Sequence, residues 1–152
     1  MMNEKRAVHA ALDARKLPEW LDRDMVVLPY CYTLCTTQEM FEAEQIRIGV
    51  KPEKRVTQFA KDNGARVTYF DDSDCKEPLE HTAAIVTIDA GAAARVHPIQ
   101  VAAMLVHEAV HIVQAGMNAL GERAPSDEFE AYTIQRVSQA LMFEYVRQLG
   151  LD

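Results

Sequence analysis

Two histidines and a glutamate sit inside an otherwise apolar run, "MLVHEAVHIVQ" (104–114), as His107-Glu108-Ala109-Val110-His111. On a helix, residues four apart share a face, so the two imidazoles converge one turn apart. That spacing suits two bonds of about 2.0–2.1 Å to a single Zn2+. Glu108 lies next to the pair without being a ligand, where a general base belongs. A metal lowers the pKa of its water to about 7, and an adjacent carboxylate can take that proton and pass it to a leaving amine. A lone histidine on an apolar face is more often a satisfied core residue, but two of them with a glutamate between would be costly to bury unpartnered. The sequence therefore predicts a zinc site here, completed by a third ligand from elsewhere and a water in the fourth position.

The element carrying the motif is long. Pro98 suits a first helical position, and 99–120 is apolar on most sides, which predicts a central helix stopped by Gly121. One more polar stripe runs along it: Gln100, Met104, His107, His111, Gln114 and Asn118. A final helix is expected at 127–149, capped by Ser126 with acidic residues in its first turn, and with a stripe of Ala131, Ile134, Val137, Leu141 and Tyr145. Upstream, "ARVTYF" (65–70) and "HTAAIVTID" (81–89) read as strands, the second apolar on both faces. Residues 90–97 read as a turn and 71–80 as a polar loop. Helices are expected at 3–16, 36–50 and 51–64, and a short strand at 25–30. The sum is an α+β fold of about five helices with a two- to three-stranded sheet.

The third metal ligand is open on these grounds. Asp127, Glu128 and Glu130 are the acids downstream, and each doubles as a first-turn residue placed for the helix dipole. His81 at a strand start and His97 just before the long helix are alternatives better suited to the surface or a cap. Tyr132 or Tyr145 are candidate hydrogen-bond donors to an oxyanion, with structural burial the competing use of each. Gln114 and Gln135 are candidates to orient the ligands.

The totals narrow the partners. The chain has 152 residues, 49% of them hydrophobic, which fits a single domain over 1–152. Its net charge is −7 and its pI about 5.2. Binding to phosphate backbones rests on clustered Lys and Arg, and the densest group here is Lys51, Lys54 and Arg55 around Glu53, so no nucleic acid or anionic membrane partner is expected. The first twenty residues are charged throughout and lack a signal-peptide core, which makes the cytoplasm the expected compartment. Cys31, Cys35 and Cys75 are an odd set, read as small thiols rather than a disulfide framework or a second metal site.

The motif and its follow-on, "HEAVHIVQ" and "GERAPSDEFEAYTIQ", resemble the zincin metallopeptidases, in particular small gluzincin-like proteins, and are similar to zincin-like proteins of phages and prophages. The resemblance covers roughly residues 80–140. It implies a zincin-like fold and a zinc-dependent peptidase acting on a peptide or protein substrate. It also implies that the E-x-x-A pattern of Glu128-Phe129-Glu130-Ala131 supplies the third ligand from Glu128, with Glu130 the alternative. Tyr132 departs from the pattern, standing where many relatives carry Asp or Asn. The resemblance further implies an edge strand beside the cleft that pairs with extended peptide, a role that falls to "HTAAIVTID". The alternative is a zinc-binding domain of the same fold that serves as an interaction module without turnover.

Overall fold

A computed structural model describes residues 18–21, 30–60 and 64–151. The expected helix at 3–16 and all but Tyr30 of the expected strand at 25–30 lie outside the described residues. Strand β1 is Tyr30–Cys35, followed by helix α1, Gln38–Arg47, then β2, Ala65–Phe70, and β3, Thr82–Ile88. A short helix α2, Ala90–Ala93, leads into α3, Pro98–Ala119, and α4, Asp127–Leu149, closes the chain. The architecture is α+β: among the described residues, four α-helices, one 3-10 turn and a three-stranded sheet.

The sheet order is β1-β3-β2, with β3 parallel to β1 and antiparallel to β2. Because β3 is central, its side chains are buried on both faces, as its two apolar faces predict. Tyr32, Leu34, Ala84, Val86 and Ile88 join Val101, Leu105, Ala109, Ile112 and Val113 of α3 and Val137 and Leu141 of α4 in one core. Ala83, Ile85 and Phe70 point the other way, against Met40 and Phe41 of α1. Alternation of side chains along each strand produces these two faces.

Both long helices begin and end where their chemistry dictates. His97 caps α3 by accepting from the Ile99 N–H through Nδ1 (3.2 Å), while Gln100 reaches back to the His97 N–H (3.2 Å). Gly121, at φ 76, adopts the left-handed conformation that stops α3. Ser126 caps α4. Asp89 caps α2, a short helix where the sequence reads only a turn.

The expected helix at 51–64 is not formed over its described part. Pro52–Lys54 makes a single 3-10 turn and 55–60 is irregular. The cause is Gln45 of α1, whose amide donates to the Val56 carbonyl (3.0 Å) and accepts from the Val56 N–H (2.7 Å). Both backbone groups are thereby withdrawn from any helical ladder, and Phe59 is free to enter the second core.

The strap 18–21 lies along the outer side of β1. The Leu21 N–H donates to the Tyr32 carbonyl (3.0 Å) and Thr33 Oγ1 donates to the Glu19 carbonyl (2.6 Å). Two buried carboxylates hold it. Glu44 accepts from Trp20 Nε1 (3.0 Å) and Arg47 Nε (2.7 Å). Glu144 accepts from the Glu19 N–H (3.0 Å), Arg147 and Gln148. With β1 covered in this way, β2 is the open edge of the sheet among the described residues.

Candidate functional site

Helix α3 turns one face to the core and the other to a cavity. Val101, Leu105, Ala109, Ile112 and Val113 are buried, while His107, His111, Gln114 and Asn118 are exposed. The cavity, of about 580 Å³, is lined on the helix side by His107, Glu108, His111, Gln114, Ala115 and Asn118, and on the sheet side by Ala65, Arg66, Val67 and Tyr69 of β2. The C-terminal part of the polar stripe read from the sequence, from His107 to Asn118, is thus the helical wall of a cleft, while Gln100 serves the cap and Met104 packs on the core. Its partner wall is β2. The expectation that β3 borders the cleft as an edge strand is corrected by the topology: β3 is hydrogen-bonded on both sides, leaving it no free edge for a peptide.

The two imidazoles meet. His107 Nε2 and His111 Nε2 are 3.0 Å apart, with ring centroids 4.7 Å apart and planes at 81°. Two nitrogens on one tetrahedral zinc, each at about 2.0–2.1 Å, stand roughly 3.3 Å apart, so the donor pair fits a shared cation after an adjustment of tenths of an ångström. Glu108 is 5% exposed and lies on the same cavity wall, beside rather than on the histidine face. A carboxylate and a candidate metal pair therefore open onto one space.

Asp127 and Glu128 are exposed and Glu130 is half-buried, all in the first turn of α4. None of them lines the cavity, and no group of three His, Cys, Asp or Glu side chains poised for a metal forms among the described residues. His111 lies eight residues before Ala119, the last of α3. That is about 12 Å along the axis at 1.5 Å per residue. Glu128 comes nine residues after Ala119 and is the second residue of α4. Tyr132 is 60% exposed and Gln135 is exposed, and neither lines the cavity. Tyr145 is half-buried in the main core, which raises its hydroxyl pKa through desolvation. His81 is half-buried next to Glu80 (3.6 Å), and His97 is the α3 cap.

Tyr69 and Arg66 are cavity residues that the sequence reading did not single out. Strand alternation places Ala65, Val67 and Tyr69 on one face of β2, but which face meets α3 is a matter of packing. Burial pushes the Tyr69 hydroxyl up to about 12, with smaller contributions from Tyr30 and from the charge of Glu108. The rings of Tyr30 and Tyr69 pack edge-on at 5.5 Å.

The three cysteines are apart from this cleft. Cys35 and Cys75 are buried, Cys31 is half-buried, and no disulfide joins them. Among the described residues no helix is long and apolar enough to cross a membrane. Comparison with family models, with curated proteins and with solved structures gives no match.

Proposed function

We propose that the chain is a zinc-dependent metallopeptidase of zincin type, in which His107 and His111 hold the metal, Glu128 (or Glu130) completes the ligand set and Glu108 is the general base. The observation that carries this reading is the convergence of the two Nε2 atoms at 3.0 Å on a cavity wall shared with a buried glutamate. When bound, the cation polarises a carbonyl and makes a water acidic enough to attack near neutral pH. Glu108 takes the proton of the attacking water and delivers it to the departing nitrogen. Glu108 is 5% exposed and lies on the same cavity wall as the two imidazoles. The open edge of β2, across the cavity from the histidines, supports pairing with a peptide or protein substrate in extended form.

The test is Glu108→Gln. This variant is expected to retain stoichiometric zinc and lose hydrolysis of a peptide library. Activity that survived the exchange would refute the mechanism. Loss of zinc from Glu128→Ala but not Glu130→Ala, or the reverse, identifies the third ligand.

A second reading, a zinc-binding interaction module without turnover, is favoured by one observation: neither Glu128 nor Glu130 lines the cavity that holds the histidines. Stoichiometric zinc with no hydrolysis by the native chain would select it.

A further inference from the structure

One polar atom of the cavity takes no part in the hydrolysis proposed for it. Tyr69 Oη is sealed from solvent and is the buried side-chain N or O atom without a hydrogen-bond partner among the described residues. A hydroxyl withdrawn from water and left unpaired is destabilising, so such a donor in a native structure calls for an acceptor within reach. Two ionisable groups lie near enough to act on it electrostatically, Tyr30 and Glu108. Tyr30 packs edge-on, but its own hydroxyl goes to the Ala115 carbonyl (3.4 Å). Glu108 lines the same cavity and accepts no hydrogen bond from any described residue. An ionised carboxylate is an acceptor only, with several lone pairs to satisfy. Burial keeps the Tyr69 phenol protonated, and hence a donor, across the neutral range.

We propose that the Tyr69 hydroxyl, unpaired in this structure, turns to donate directly to the Glu108 carboxylate and so fixes it. Tyr69 is then a positioning residue for the base. It is not an oxyanion donor, because a substrate oxygen cannot reach an atom already closed off from solvent. The contact itself is independent of the metal; its value to hydrolysis rests on the metallopeptidase reading.

A double-mutant cycle on the full chain, unfolded in urea with a chelator present, tests the contact. The variants are Tyr69→Phe, Glu108→Leu and the pair. A charge-assisted bond predicts coupling: Tyr69→Phe lowers the folded-to-unfolded ratio about tenfold more in the native background than in the Glu108→Leu background. Effects that add to within about twofold overturn the proposal. Should Glu108→Leu not fold cooperatively, Glu108→Met, which likewise has no carboxylate to accept the bond, gives the same cycle with coupling in the same direction.

A kinetic arm follows on the zinc-loaded protein. Tyr69→Phe is expected to lower kcat about tenfold with KM and zinc content unchanged, and to change nothing further beside Glu108→Gln. A rise in KM alone would overturn the positioning role. Coupling in a chain that hydrolyses no peptide would keep the Tyr69–Glu108 contact and remove only the peptidase reading. An active enzyme without coupling would do the opposite.

Discussion

If His107 and His111 are a metal site, their removal has almost no effect on the metal-free fold and a large effect on the response to zinc. Both side chains are exposed, and their 3.0 Å contact lies at the surface of the cavity. Replacing either with Ala removes little buried apolar area and one solvent-exposed hydrogen bond, so the expected cost without metal is within about 0.5 kcal/mol. The neighbouring Ile112 is 0% exposed in the main core. Ile112→Ala, one position away on the same helix, is expected to cost about 2–5 kcal/mol through lost transfer energy and a cavity. Zinc reverses the order. At a free concentration one hundred times its Kd, a ligand that binds only the native state adds about 2.7 kcal/mol. For a chain of this size that is roughly 5–10 °C in Tm. The native protein and Ile112→Ala should both gain it, and the two histidine variants should not. The assay is thermal and urea unfolding with chelator and with buffered zinc. A metal-free cost above about 1.5 kcal/mol for either histidine variant would show that the pair is structural. Equal zinc stabilisation of native and variant chains would place the metal elsewhere.

The strap that covers β1 offers a test of the buried carboxylates. Glu144 is 3% exposed and accepts from Arg147 at 2.7 and 2.8 Å. Arg147→Met should cost about 3 kcal/mol by leaving that charge poorly paired, and should cost more than Glu144→Gln, in urea unfolding. Gln45→Ala frees both backbone groups of Val56 and is expected to cost about 1–3 kcal/mol, with new proteolytic cleavage in 55–60 as the local signature. Burial, reinforced by the charges of Glu44 and Glu144, raises the Cys35 thiol well above its ordinary range. At pH 8–9, where an ordinary cysteine ionises, Cys35 stays protonated, so a thiol reagent should reach it only as fast as the chain unfolds, with half-buried Cys31 labelled earlier. Mass spectrometry of timed labelling reads the order.

Much of the site was legible before any fold was known. The i, i+4 spacing puts His107 and His111 on one face of any α-helix, because that relation depends on local helix geometry alone. The same locality explains why Pro98, Gly121, Ser126 and the alternation of β3 marked their elements correctly: caps, stops and pleats act within a few residues. The failures share the opposite cause. The run 51–60 has helical signals, yet Gln45 captures Val56 across eleven residues of chain and the local preference loses. "HTAAIVTID" looks like a strand from its own residues, but whether a strand is central or at an edge depends on its neighbours, and β1 and β2 take both sides of it.

One helix carries its chemistry in its own residues: two imidazoles able to converge, and a carboxylate next to them. What faces that chemistry came from packing. Packing set β2 as the opposing wall, buried Glu108 while leaving the histidines open, and sealed Tyr69 Oη from solvent. A helix fixes the angular positions of its own side chains through hydrogen bonds four residues apart, so those positions can be read from a short run of residues. Which surface covers each face is settled by burial of apolar area contributed from distant parts of the chain.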